Sequence, residues 1–291
     1  MNVSPEILVE RLVAADFSIE PWEVLGVGQN SIAILANEEW VFRYPLHESA
    51  AESLQLEIAV LRAVQGRLPV LIPNPEIVAD IPGLDWAVMG YPAIGGRTLE
   101  RDAIDSLDAE AMTRLGRDLG RFMSTLHSTP SSRFSKSEVR NKDDEVQWDR
   151  LAIDTADFLK PRVETTVWNR LNRKLTKSIA KIKRLRFVPV LRHGDFGSGN
   201  FLFDRSFHMS GVIDFGSAGF GDPAVDVAGV IATNPSEDLL GRVRLAYPAA
   251  DGMIERARIY TETFALQHAL LGAKGDDETA IKDGLANYLG E

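Results

Sequence analysis

His193-Gly194-Asp195-Phe196-Gly197-Ser198-Gly199-Asn200, with Ile213-Asp214-Phe215-Gly216 after it, is the stretch around which this chain is organised. A loop that carries Asp195 can hold a carboxylate at a hydroxyl about to attack phosphorus. Five residues on, the chain has turned far enough for the Asn200 amide oxygen to face a cation. Phe201-Leu202-Phe203-Asp204, a turn near Arg205-Ser206 and the run Gly211-Val212-Ile213 read as a β-hairpin that returns Asp214 to the side of Asn200. Two oxygen ligands then converge, as magnesium requires. Each piece alone has an ordinary reading, since His-Gly-Asp is a common turn tripeptide and an Asn at a strand start serves as a turn or cap. Their joint spacing, with apolar strands between them, is what gives the pair chemical meaning.

At 291 residues the chain is long enough for two lobes with a core each. Hydrophobic residues at 45% and charged residues at 25% are those of a folded, water-soluble protein. There is no cysteine, which excludes disulfides, thiolate metal sites and a thiol nucleophile. No basic segment precedes an apolar run at the N-terminus, and no apolar run approaches the ~20 residues of a membrane helix. A cytoplasmic protein without a membrane partner is expected. The net charge of −10 argues against broad nucleic-acid binding. From His193 to Glu291 there are 15 Asp and Glu against 7 Lys and Arg. An acidic lobe of this kind attracts a cationic small molecule, although acidity for solubility accounts for the same numbers.

Ser4-Pro5 starts a helix whose Leu8, Leu12 and Ala15 share one face. Trp22–Leu25 and Ile32–Leu35 read as strands around a loop, Gly26-Val27-Gly28-Gln29-Asn30-Ser31, whose tip can lie over phosphates or be a plain hairpin turn. Trp40–Tyr44 is a third strand, from which Arg43 can reach nucleotide phosphates. Leu54, Ile58, Leu61 and Val64 mark the next helix. There Glu57 either pairs with Arg43 or stands as a solvated acid. Strands around 76–81 and 86–91 complete a five-stranded, largely antiparallel sheet crossed by one helix. Pro92-Ala93-Ile94-Gly95-Gly96 then reads as a hinge, with one lobe at 1–94 and the other at 95–291. The second part reads as helices: one capped by Asp108 with Met112, Leu115, Leu119, Phe122, Met123 and Leu126 inside, then 148–159 and 167–185, and, after the hairpin, segments from Asp222 to Leu289. Lys174, Lys177, Lys181 and Lys183 read as a solvated helix face in preference to a nucleic-acid surface.

His193-Gly194-Asp195 with Asn200, Ile213-Asp214-Phe215-Gly216 and Asp222-Pro223-x-x-Asp226 together resemble the aminoglycoside phosphotransferase family. The likeness extends to Gly26-x-Gly28-x-x-Ser31, Val41-Phe42-Arg43-Tyr44-Pro45 and the Glu57 helix, and Phe196–Leu202 is similar to the branch acting on the 2″-hydroxyl of aminoglycosides. It implies an α+β, bilobal, protein-kinase-like fold, in which an N-terminal sheet with its helix sits over a mainly helical lobe carrying the catalytic hairpin. It also implies a monomeric enzyme that phosphorylates a hydroxyl of a small cationic molecule, an aminoglycoside antibiotic, with ATP or GTP and Mg2+. A macrolide or small-metabolite kinase and a nucleotide-binding pseudokinase are the alternatives.

On matching positions, Asp195 would be the catalytic base or the acid that orients the hydroxyl, and Asn200 and Asp214 the magnesium ligands. Arg43, fixed by Glu57, would hold the phosphates under the loop of Gly26, Gly28 and Ser31. Tyr91, Ala93 and Ile94 would offer backbone groups to the purine, while Asp226 would tie the His193 loop in place. Two features depart from the pattern. Arg43 stands where protein kinases have Lys, and the two side chains meet phosphates differently. Ser217 stands where the 2″ branch places acids soon after the magnesium aspartate, so Glu237, Asp238 and Glu262 are the candidates to hold a cationic substrate.

Overall fold

The computed structural model describes residues 3–28, 30–99, 101–135, 145–234 and 236–290. Helix α1 (Pro5–Ala14) begins as its sequence predicts. Pro5 occupies the first turn, and the Ser4 hydroxyl accepts the Ile7 N–H at 3.4 Å. Strands β1 (Trp22–Val27), β2 (Ser31–Ala36) and β3 (Trp40–Pro45) lead into α2 (Glu48–Val64), and β4 (Ile77–Ala79) and β5 (Val88–Pro92) follow. Among the described residues the five strands form one sheet in the order β1-β2-β3-β5-β4, every pair antiparallel.

The alternation of side chains assigns the two faces of this sheet. Ile32, Ile34, Ala36, Phe42 and Tyr44 are buried with Leu8 and Leu12 of α1. Val41, Met89 and Tyr91 are buried with Leu54, Ile58 and Leu61 of α2. Arg43, between Phe42 and Tyr44, therefore belongs to the face that α2 covers.

Beyond the sheet come α3 (Arg101–Asp105), α4 (Ala109–His127), α5 (Glu145–Phe158) and α6 (Thr165–Ile182). Asp108 caps α4 by accepting the Ala111 N–H at 2.7 Å, and the six apolar residues expected inside α4 are buried. Short strands β6 (Val190–Arg192), β7 (Phe201–Phe203), β8 (Met209–Val212) and β9 (Gly219–Gly221) then alternate with the loops of interest. The chain ends in α7 (Ala224–Thr233), α8 (Glu237–Ala246), α9 (Ile254–Gly275) and α10 (Glu278–Leu289). Helix α4 packs on α8, and α9 packs on both α7 and α10.

One continuous cluster of buried apolar residues runs from Val41 and Ile58 to Leu285 and Tyr288, so sheet and helices share a core. The segment read as a hinge is tied onto the hairpin. Arg97 and Phe203 exchange backbone hydrogen bonds of 2.9 and 3.0 Å, and the Ser210 hydroxyl donates to the Gly95 carbonyl at 2.7 Å. The return strand of that hairpin runs from Met209 to Val212 and stops before Ile213, and Asp204 accepts the Ser206 and His208 N–H groups in the turn that precedes it. The β6–β9 pair has no expectation behind it. The polar stretch 128–140 contains one 3-10 turn, Ser131–Arg133, and 136–144 lies outside the described residues. Among the described residues no helix is long and apolar enough to cross a membrane.

Candidate active site

The His193 loop leaves β6, which is paired with β9, and is fastened from below by the first turn of α7. Asp226, fully buried, accepts the backbone N–H of His193 and that of Gly194, each at 2.8 Å. Its Oδ2 also takes the Nε2–H of His127 at 3.0 Å, and His127 Nδ1 then accepts the Tyr247 hydroxyl proton at 2.9 Å. Burial opposes the charge on Asp226, but the hydrogen bond from His127 and the fields of His127, His193 and Arg192 hold its carboxyl below the usual range. Burial, assisted by the Asp226 charge, pushes the Tyr247 phenol up to about 12. Gly194 has φ +86°, and a side chain there would run into Arg192 and the Ser217 carbonyl, so the turn into Asp195 requires glycine.

Asn200 closes the loop. Its Nδ2 donates to the Asp195 carbonyl at 2.8 Å and to the Asp195 carboxylate at 3.1 Å, which leaves the amide oxygen as the atom available to a cation. The Ile213 N–H donates to the Asn200 carbonyl at 3.0 Å, so the hairpin delivers Asp214 next to Asn200. Asp214 is left-handed, φ 60° and ψ 70°, a conformation that a short polar side chain tolerates by bonding locally; its Oδ1 accepts the Gly216 N–H at 3.3 Å.

Arg43 meets this group from the sheet. Its Nη1 lies 2.6 Å from Glu57 and its Nη2 lies 3.6 Å from Asp214. Burial works against the guanidinium charge, yet the Glu57 and Asp214 carboxylates hold it above its ordinary value. Burial raises the Glu57 carboxyl against the pull of Arg43. The pair is therefore a rigid, desolvated fixture with one edge of the guanidinium turned to a cavity of about 740 Å³. Gly28, Ser31, Arg43, Glu57, Asp195 and Asp214 all line that cavity. Gly26 does not, because it sits in β1 beside a register shift, and Gly28 is the glycine at the turn, where its N–H donates to Ser31 at 3.0 Å.

Of the three hinge residues, Ala93 has its amide engaged within the sheet. The Ala93 N–H, expected to face a purine, donates to the Glu39 carbonyl at 2.7 Å. Ile94 packs against Gly211, and Tyr91 is buried in the sheet, its phenol raised by burial to about 12.

A second cavity, about 750 Å³, opens on the other side of the loop and is lined by Ser198, Thr233, Phe264, Gln267 and His268. Asn30, Asp195, Ser217 and Leu271 line both cavities. Of the acids expected to hold a cationic substrate, Asp238 and Glu262 do not line the second cavity. Asp238 turns to Arg242 one helical turn on, at 3.0 Å, and Glu262 is exposed and accepts the Ser178 hydroxyl at 3.4 Å. The Glu237 side chain lies outside the described residues. Sequence reasoning missed His127, Asn30 and the α9 pair Gln267-His268. Only His127 carried a signal, being a polar residue at the end of an otherwise apolar stripe.

An antiparallel sheet over helices, with two adjoining cavities that share a loop carboxylate, is the kinase-like class of phosphotransferase. The sequence agrees and goes further: the chain belongs to the phosphotransferase enzyme family, whose model it matches over residues 25–260. Membership makes it an enzyme that phosphorylates a small-molecule hydroxyl. It is 33% identical over 250 residues to viomycin phosphotransferase of Streptomyces vinaceus, covering 82% of this chain and 83% of that protein. Its fold is that of the GDP and kanamycin complex of APH(2″)-IIIa, with a TM-score of 0.82 and 24% identity over 96% of this chain and 95% of the other. The GDP complex of a wild-type aminoglycoside phosphotransferase gives a TM-score of 0.81 and 24% identity, covering 98% and 97% of the two chains.

Proposed function

We propose that this enzyme moves the γ-phosphoryl group of ATP or GTP, with magnesium, onto a hydroxyl of an aminoglycoside antibiotic, and that it does so as a cytoplasmic monomer conferring resistance. The reading rests on one observation: Asp195 stands on the wall shared by the two cavities. A group between them can be handed from a donor on the Arg43 side to an acceptor on the Ser198 side. In this reading residues 1–94 form the nucleotide lobe and 95–291 the lobe that carries the acceptor.

The hydroxyl oxygen of the acceptor attacks the γ-phosphorus and a new P–O bond forms. The bond to the β–γ bridging oxygen breaks, its electron pair leaves with the nucleoside diphosphate, and the hydroxyl proton passes to Asp195. Geometry governs this step, since Asp195 has to lie about 3 Å from the acceptor oxygen. Asn200 keeps the carboxylate in place through the 3.1 Å contact. Arg43, immobilised by Glu57, offers a fixed positive edge to the phosphates, which costs no reorganisation during transfer.

The donor set fits a magnesium ion. Asn200 and Asp214 supply two hard oxygens, and magnesium characteristically takes one or two carboxylates and completes its shell with phosphates and water. Among the described residues no group of three His, Cys, Asp or Glu forms a self-sufficient cage, which suits an ion that arrives with the nucleotide. When bound, that ion neutralises phosphate charge and aligns the transferring group.

A second reading, a less charged acceptor such as a macrolide, is favoured by the lining of the second cavity, where Asp195 is the only carboxylate among the described residues. Transfer from ATP and GTP to kanamycin, streptomycin, viomycin and erythromycin, with magnesium and then with chelator, separates the two. Magnesium-dependent turnover on kanamycin or streptomycin is expected. Turnover on erythromycin alone selects the second reading, and turnover on none of the four overturns both.

A further inference from the structure

Asn30 stands where the two cavities meet, and a residue outside the reacting groups holds its side chain there. That residue is His47, the N-cap of α2, whose Nδ1 accepts the Ala50 N–H at 3.2 Å and lies 2.9 Å from the Ser49 hydroxyl. A ring nitrogen that accepts an N–H carries no proton, so the proton sits on Nε2. Nε2–H then donates to Asn30 Oδ1 at 3.2 Å, which fixes the amide orientation. The Asn30 carbonyl is held as well, accepting the Leu46 N–H at 2.9 Å. With Oδ1 taken, Nδ2 is the end of the amide left to donate, and among the described residues no protein group accepts from it.

We propose that Asn30 is a further catalytic donor, its Nδ2 hydrogen-bonding the oxygens of the phosphoryl group as that group passes between the cavities, and that His47 is the positioning residue that aims it. The inference rests on assigning the first cavity to the nucleotide and the second to the acceptor. Charge on those oxygens is shared between donor and acceptor sides during transfer. A donor on the common wall therefore acts on the transition state more than on the bound nucleotide.

Three variants separate this from a structural role. Asn30→Ala removes the donor. Asn30→Asp keeps an oxygen for His47 but replaces the donor with an acceptor. His47→Asn keeps a strong helix cap, since Asn caps well, but is too short to reach Asn30. The readouts are affinity for non-hydrolysable ATP and GTP analogues with magnesium, turnover on kanamycin, slow release of phosphate to water, and melting temperature.

Asn30→Ala is expected to slow turnover by about ten- to a hundredfold, the range for a hydrogen bond to a charged group, while nucleotide affinity changes by less than about threefold. Asn30→Asp slows it further at an unchanged melting temperature. His47→Asn slows the wild type by about three- to tenfold and adds nothing in the Asn30→Ala background, because the two residues act as a unit. A wild-type rate in Asn30→Asp, a loss in Asn30→Ala that lies wholly in nucleotide affinity, or additive effects overturn the proposal. If the wild type binds no nucleotide, the assignment of the cavities fails along with it. If the wild type transfers or releases phosphate and the variants match it, only the role of Asn30 falls.

Discussion

Replacing Asp226 with Asn preserves the shape of a buried side chain and changes the number of acceptor positions it offers. Three donors converge on this carboxylate: Gly194 N–H on Oδ1, and His193 N–H and His127 Nε2–H on Oδ2. In the variant, the better rotamer places the amide oxygen where Oδ2 was, so the Gly194 N–H faces an NH2 group. The other rotamer abandons two donors. The better case loses one bond with its donor left buried, at about 1–3 kcal/mol, and turns two charged bonds into neutral ones at about 1 kcal/mol each. The total, about 3–5 kcal/mol, is a large part of the roughly 5–15 kcal/mol that holds a protein folded.

The same carboxyl gives a pH signature. Its folded pKa is depressed, so its contribution is complete above the unfolded value near ~3.9 and is lost as pH falls through the lower folded value. The amide of the Asp226→Asn variant cannot titrate, and the acid limb of the stability curve becomes shallower below about pH 4. Urea unfolding followed by tryptophan fluorescence, from pH 7 down to about pH 3, measures both effects. A loss smaller than about 1 kcal/mol at pH 7, or an unchanged acid limb, refutes the view that Asp226 fastens the loop by charge.

Asp214→Ala is expected to abolish magnesium-dependent nucleotide binding in calorimetric titrations, whereas Asp195→Ala leaves that affinity nearly intact and lowers turnover by orders of magnitude. Equal effects of the two variants on binding would remove the distinction between ion holder and hydroxyl contact. Gly229→Ala places a methyl group against the Phe196 carbonyl oxygen, a backbone atom of the Asp195 loop, and is expected to cost about 1–3 kcal/mol in thermal unfolding and to lower turnover with it. A wild-type melting temperature would show that α7 is free to move away from the loop.

Asp195, Asn200 and Asp214 could be brought together from sequence because a hairpin converts spacing along the chain into proximity, and Arg43 and Glu57 because a strand and the helix after it are neighbours 14 residues apart. The Ala93 amide could not be read the same way. Whether the Ala93 N–H is free depends on the Glu39 carbonyl in the β2–β3 turn, a matter of sheet register and not of local composition. Asp238 and Glu262 turn away from the second cavity for a related reason. Net charge describes a field around a lobe, whereas the face of α8 on which Asp238 falls, one turn from Arg242, is set by how that helix docks on α4.

His127 and Asp226 are 99 residues apart, and Tyr247 is 120 from His127, so no motif window contains them. They could still have been sought by a physical demand. Helix α4 buries Phe122, Met123, Leu126 and then His127, and a ring with two nitrogens inside an apolar core has to find partners for both. An acid at the start of an apolar helix, Asp226 among Val225, Val227 and Ala228, makes the complementary demand. Matching such orphaned polar groups to one another identifies the His127 and Tyr247 anchor beneath Asp226, which a motif that names Asp226 alone leaves out.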